Sequence, residues 1–117
     1  MAALTTVAHY ITAARRLLLD ETEPYRYSDV DVVDALNYGH LEARRLRPDL
    51  FLPDTDTVTS YSSASTGTTV VMDMQYRMSL VFYICGHMQL IDTEDTSDAR
   101  AAAFMARFVT QMTSLNT

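Results

Sequence analysis

The sequence predicts an all-α fold: a small four-helix bundle with an extended loop or β-hairpin tongue between helices 2 and 3. Apolar residues recur at spacings of three and four in four segments, which is the period of an amphipathic helix. Capping residues, prolines and charges mark the ends of these segments. The stretch 54–72 differs, because it is rich in Thr, Ser and Val and nearly free of helix formers, a composition that favours extended backbone.

Length and composition predict one domain, residues 1–117, that buries roughly two-thirds of its unfolded surface around a single core. No apolar run reaches the roughly 18–20 residues that span a bilayer, and the N-terminal residues lack the basic region of a signal peptide. We therefore expect no membrane association. The single cysteine, Cys85, excludes an intrachain disulfide framework and fits a reducing compartment.

The first helix is predicted over about 4–20, followed by acidic residues and Pro24, which cannot continue a helix. Its residues on one face are Leu4, Val7, Ile11, Ala14 and Leu18.

The second helix, about 29–46, has the best-defined ends. Ser28 is a good N-cap, and aspartates follow it in the first turn. Arginines occupy the last turn, and Pro48 ends the helix because it disfavours the α region for the residue before it. The residues predicted to be buried are Val30, Val33, Leu36 or Asn37, and Leu41.

The third helix is predicted over about 74–91 and the fourth over about 97–115. The third is apolar on more than one face, through Met78, Val81, Phe82, Cys85 and Met88 among others, which is typical of a central helix. The fourth has one apolar stripe, formed by Ala101, Phe104, Met105, Phe108, Met112 and Leu115. The short acidic link between them predicts antiparallel neighbours.

Residues 57–62 and 68–72 are expected to pair as a hairpin around a turn at 63–67. A connection this long in a small domain is usually functional or mobile, and the sequence leaves both alternatives open. The methionines of helix 3 have two interpretations as well: core filler, which we favour, or an adaptable binding surface.

No constellation for catalysis or cofactor binding is recognisable. His9, His40 and His87 fall on three different helices without ligand spacing, and Cys85 has no flanking base. We therefore predict no enzyme, no metal and no cofactor. The chain has nine arginines, no lysine and a net charge of −6, which argues against a protein that binds nucleic acid by neutralising phosphates. Arg44, Arg45 and Arg47 are the only feature that favours such binding.

Two parts of the chain resemble a known family. The segment 27–49 reads Tyr-Ser-Asp, then Leu-Asn-Tyr-Gly, and closes in Leu-Arg-Pro-Asp. The segment 76–81 reads Tyr-Arg-Met-Ser-Leu-Val, and an acidic turn with the start of a helix follows at 92–104. In order and spacing these segments resemble the head–tail connector adaptors of tailed bacteriophages, also called head completion proteins. The likeness covers roughly 5–49 and 73–112, whereas many relatives carry a longer β-rich insertion between the two halves.

The resemblance implies a structural virion protein, made in the host cytoplasm, in the head–tail connector. Such adaptors dock under the portal protein as a ring, commonly of twelve copies. They extend the channel through which genomic DNA passes without sequence-specific binding, and they provide a platform for the tail or for a stopper or nozzle protein. The alternative is a small helical DNA-packaging protein, similar to a terminase small subunit, that binds nucleic acid.

For the adaptor interpretation, three surfaces are expected to contact neighbouring copies or the portal. One is the C-terminal tail, residues 113–117, which is expected to become ordered only in the assembly. The tongue would contribute Val58, Tyr61, Val70 and Val71. The end of helix 2 would contribute Arg44, Arg45 and Arg47, pairing with acids of an adjacent copy, although a solvated helix end is the simpler interpretation for such arginines.

Overall fold

The computed structural model describes residues 4–20, 22, 25, 27–51, 60–72, 74–91 and 98–113. Within these ranges four α-helices form the fold, and short 3-10 turns at Pro48–Phe51 and Met74–Tyr76 adjoin two of them. The helices are α1 (Val7–Leu18), α2 (Asp29–Leu46), α3 (Arg77–Ile91) and α4 (Asp98–Thr113). The prediction of an all-α chain with four helices is confirmed. No helix within the described ranges combines the length and hydropathy that crossing a membrane requires.

Helix α3 is the centre of the bundle, since it packs against each of the other three helices. It runs antiparallel to α4: Ser79 contacts Met112, the Tyr83 ring meets the Phe108 ring at 5.0 Å, and Gly86 faces the side chain of Met105. The central position and the antiparallel pairing were both predicted. Met78 was placed on the buried stripe, but it is 39% exposed, because Ser79 and Leu80 occupy the buried side of that turn.

Helix α2 is rotated relative to the prediction. Val33 and Leu36 are buried as expected, whereas Val30 is 56% and Leu41 44% exposed. The reason is a row of small residues, Ala35, Gly39 and Ala43, spaced four apart and fully or nearly fully buried. A Cβ atom on Gly39 would lie 2.7 Å from Cδ1 of Tyr83 and 2.8 Å from Cδ1 of Leu80. The small-residue row therefore brings α2 close to α3 and turns Val30 and Leu41 to solvent.

A buried arginine joins the end of α1 to the start of α2. The Arg15 guanidinium, 5% exposed, donates to the carboxylates of Asp20 at 2.8 Å and Asp29 at 2.5 Å and to the carbonyl of Tyr27 at 2.9 Å. Asp20 also accepts from the Tyr27 N–H. Removal of Arg15 or Asp20 would leave the other charge buried without compensation, so this cluster stabilises the connection between α1 and α2.

Residues 60–72, the described part of the predicted tongue, lie against the helices. The N–H groups of Val7 and Ala8, at the start of α1, donate to the carbonyls of Thr68 (3.0 Å) and Thr66 (2.9 Å). Val70 N–H in turn donates to the Thr5 carbonyl at 2.8 Å. The segment thus satisfies donors that a helix N-terminus leaves without intrahelical partners. Residues 54–59 lie outside the described ranges, so the hairpin stays a prediction.

Leu19 ends α1 in the left-handed conformation, with φ 58° and ψ 41°, and its side chain is 84% exposed. This conformation is unfavourable for a residue with a Cβ atom, whereas glycine adopts it readily. We expect Leu19→Gly to raise the free energy of unfolding by about 1 kcal/mol. Chemical denaturation at neutral pH measures the difference.

Leu90→Gly is the matched control for this prediction. Leu90 is also exposed, at 56%, but lies within α3, where glycine lowers stability by up to about 1 kcal/mol. The two substitutions remove the same side chain and should act in opposite directions. A decrease of stability in both variants would contradict the assigned role of the Leu19 backbone.

Candidate interaction surface

The predicted tongue contacts separate into buried and exposed residues. Tyr61 is 5% and Val70 2% exposed, and both belong to the chain's own core. Val71 is 43% exposed, because successive side chains of extended backbone point to opposite sides. Val58 lies outside the described residues. Among the described members of this set, only Val71 exposes an apolar side chain to solvent. Tyr61 and Val70 therefore stabilise the fold of the chain itself.

Two polar side chains of α2 hold this segment in place. The amide of Asn37 pairs with the backbone of Tyr61 in both directions: Nδ2 donates to the Tyr61 carbonyl at 2.9 Å, and Oδ1 accepts from the Tyr61 N–H at 2.7 Å. His40 Nε2 lies 2.6 Å from the Val71 carbonyl oxygen. The Tyr61 hydroxyl also accepts from the Val71 N–H at 3.0 Å. Residues 61 and 71 are therefore fixed to one turn of α2 and to each other.

The hydrogen bond to Val71 determines which nitrogen of His40 donates, and burial favours the neutral form of the ring. A backbone carbonyl only accepts hydrogen bonds, so His40 Nε2 carries the hydrogen that it shares with Val71. Burial lowers the pKa of His40, and the nearby positive charge of Arg44 lowers it further, whereas the hydrogen bond to Val71 opposes them. The imidazole also meets the Tyr61 ring edge-on, with centroids 5.5 Å apart.

The three predicted arginines have different surroundings. Arg47 joins separate parts of the fold: it donates to both carboxylate oxygens of Asp49 at 2.9 and 2.8 Å, to the Met112 carbonyl at 2.9 Å and to the Tyr76 hydroxyl at 3.4 Å. Its guanidinium carbon also lies 5.4 Å from the centre of the Tyr76 ring. These contacts connect the end of α2 with the start of α3 and the end of α4. Arg47 is therefore primarily a structural residue.

Arg45 is the most outward of the three. Its side chain is 68% exposed and forms a surface ion pair with Glu42 at 2.9 Å, an interaction that contributes little to stability in water. Arg44 is half-buried and close enough to His40 to lower its pKa. Of the predicted arginines, Arg45 thus has the charge that a partner reaches most easily.

The exposed side of α2 carries a mixed apolar and charged face that the sequence analysis missed. It consists of Val30, Asp34, Tyr38, Leu41 and Arg45, and we call it the α2 outer face. Its spacings of four, four, three and four residues place it within an arc of roughly 100° on the helix. Val30, Tyr38 and Leu41 are 56%, 51% and 44% exposed. The sequence contains one signal for this face: the small residues at 35, 39 and 43 lie on the other side of α2 and indicate that this other side is buried.

The described residues that could act as a nucleophile or bind a metal include Cys85 and the His, Asp and Glu side chains. Cys85 is fully buried and close to the Ala14 carbonyl, and burial raises the pKa of its thiol to about 12. The thiol is therefore protonated at neutral pH. Within the described part of the chain, no three His, Cys, Asp or Glu residues come together in a way that would hold a metal ion.

Comparison of the chain with models of protein families, with curated proteins and with solved structures gave no match.

The pairing of Asn37 with Tyr61 predicts the effect of Asn37→Asp. The substitution preserves shape but replaces the donor by a carboxylate oxygen that faces the Tyr61 carbonyl. We expect a loss of about 1–3 kcal/mol in the free energy of unfolding at neutral pH, since a hydrogen bond is lost and two acceptors face each other. Asp34→Asn is the reverse change at an exposed position of the same helix and should stay within about 0.5 kcal/mol of the parent. Urea denaturation measures both, and equal effects would refute the role of Asn37.

The burial of His40 is expected to make the stability of the fold depend on pH. Its pKa is lowered in the folded chain, so the unfolded chain takes up the proton first as the pH falls below about 6.5. The contribution of neutral His40 to the free energy of unfolding is thus fully present above about pH 6.5. It decreases as the pH falls toward the folded-state pKa, by at most about 1.4 kcal/mol per pH unit. Burial lowers the pKa of His87 as well, so both histidines contribute in the same direction.

His40→Gln tests this dependence, because the glutamine amide keeps a donor for the Val71 carbonyl and does not titrate. Denaturation at pH 7 and pH 5 should show a smaller loss of stability in the variant than in the parent. His87→Gln is the companion variant, and the two together should flatten the profile more than either alone. An unchanged profile in His40→Gln would show that His40 is not buried as a neutral donor.

Proposed function

We propose that this chain is an adaptor of the head–tail connector in a tailed bacteriophage. In this role it docks under the portal protein as one copy of a ring, extends the channel for the genome and provides the surface on which the tail, or a stopper or nozzle protein, assembles. Its function is assembly through protein contacts, without catalysis.

The observation that carries the proposal concerns the two motif segments. The first segment ends in Leu-Arg-Pro-Asp, which contains Arg47, and the second begins with Tyr76. These two residues are 29 positions apart in the sequence. Arg47 nevertheless contacts the Tyr76 hydroxyl, the Asp49 carboxylate and the Met112 carbonyl. Ser28 accepts from the Asp31 N–H as an N-cap, and Asn37 holds Tyr61. The motif residues therefore stabilise the same helical bundle. This supports the interpretation of the two segments as one family signature.

The charge supports an adaptor better than a DNA-binding protein. A ring that lets DNA pass should not retain it, and a lysine-free chain with a net charge of −6 repels phosphates overall. Two of the three arginines that favoured the alternative, a DNA-packaging protein, have carboxylate partners: Arg45 pairs with Glu42 and Arg47 with Asp49. A phosphate would have to compete with these partners.

Virions made without this chain provide the main test. We expect particles whose heads fill with DNA but then leak it or remain without tails, because packaging precedes the step that an adaptor performs. Electron microscopy of particles from a phage with the gene deleted measures this, and the intact gene supplied in trans is the control that should restore infectious particles. Heads that never take up DNA, rather than heads that fill and then leak, would contradict the adaptor function and favour a packaging protein.

Binding to the portal is the second measurement. The purified chain should co-sediment with the cognate portal protein and form a ring on it. A chain that stays at its own sedimentation position in the presence of portal would argue against the proposal. In a gel-shift assay at low salt, tight DNA binding that weakens steeply with added salt would favour the alternative.

A further inference from the structure

We propose that the α2 outer face is a self-complementary surface on which two copies of this chain pair, with their α2 helices antiparallel across a two-fold axis. The occupant of the face is a second copy of the same chain. This pairing requires no portal and no ring, so it goes beyond the proposed function and is tested separately from it.

The first argument is the order of the residues along the face. Asp34 lies toward the N-terminal end, Arg45 toward the C-terminal end, and Tyr38 and Leu41 lie between them. The midpoint of positions 34 and 45 is also the midpoint of positions 38 and 41. One two-fold axis at that point therefore places Asp34 of each copy opposite Arg45 of the other, and Tyr38 of each copy against Leu41 of the other. An isologous contact requires this kind of match between a surface and itself.

The second argument is the availability of these side chains. Tyr38 and Leu41 are 51% and 44% exposed, and the side chain of Arg45 is 68% exposed. Asp34 is exposed as well. The ion pair of Arg45 with Glu42 spans one helical turn at the surface, and such pairs are weak enough to rearrange when a partner carboxylate arrives.

The third argument is the apolar border of the face. Val30 lies one turn before Asp34 and is 56% exposed. Apolar side chains interspersed with complementary charges are typical of a protein interface. The patch is about 16 Å long between Asp34 and Arg45, so we expect a weak dimer, with a dissociation constant of about 0.1–1 mM.

Charge reversal at the two positions tests the arrangement. In Asp34→Arg, both pairs across the axis become Arg–Arg, and in Arg45→Glu both become acidic pairs. Each variant alone should dimerise at least about tenfold more weakly than the parent. An equal mixture of the two variants restores opposite charges at both pairs and should form a mixed dimer. The double variant, with the charges exchanged, should form a dimer of its own.

The measurement is sedimentation equilibrium up to about 1 mM protein, in about 0.01 M and about 1 M salt, between which the Debye length falls from ~30 to ~3 Å. The difference in affinity between the parent and the single reversals should become smaller at high salt, because the charge pairs are then screened. Arg107→Glu, an exposed reversal on α4, is the control and should leave dimerisation unchanged. Circular dichroism verifies that each variant folds, and Asp34→Asn with Arg45→Gln replaces any reversal that does not.

Several results would overturn the inference. A parent chain that stays monomeric up to about 1 mM would refute it, as would single reversals that dimerise like the parent. Failure of the mixed variants to associate would also refute the antiparallel arrangement. If Asp34→Arg instead paired with the parent chain more tightly than the parent pairs with itself, equal positions would face each other, the helices would be parallel, and the proposed axis would be wrong.

Discussion

The close approach of α2 to α3 at Gly39 determines much of this structure. A Cβ atom at position 39 would lie 2.7 Å from the Tyr83 ring, so glycine allows a separation that no other residue tolerates without movement of its neighbours. Contact along this small-residue row defines the rotation of α2 about its own axis. That rotation directs Asn37 and His40 toward residues 60–72, and it leaves the α2 outer face in solvent. Packing on one side of the helix thus decides which residues are available on the other.

The parts of the fold with strong local signals were predictable from the sequence. Four helices, the capping of α2 by Ser28 and the antiparallel pairing of α3 and α4 follow from periodicity, capping chemistry and a short link. The rotation of α2 was not predictable by counting large apolar residues, since that method placed Val30 and Leu41 inside. A glycine buried against an aromatic ring, as Gly39 is against Tyr83, contributes little to a hydrophobicity pattern, although this contact positions the helix.

The candidate site was less predictable for a related reason. A sequence shows that Tyr61, Val70 and Val71 have β propensity, but it does not show which face of an extended segment meets the core. Long-range pairing decides this: Val70 binds the backbone of Thr5, and Tyr61 binds the side chain of Asn37. Similarly, three arginines within four positions look alike in sequence. Their different surroundings arise from contacts as distant as that between Arg47 and Met112.

Residues that build the fold and residues available for contacts therefore lie on different sides of the same helix. Asn37, Gly39 and Arg47, which belong to the motif segment, face inward or are bound to other parts of the chain. A resemblance based on these residues is therefore evidence for a shared fold. Function depends on the residues that this fold leaves exposed. On α2 the exposed residues include Tyr38, between two inward-facing motif residues. Its ring lies 5.4 Å from that of His87, a contact that favours one orientation of Tyr38 and so reduces the entropy that a partner must overcome when it binds there.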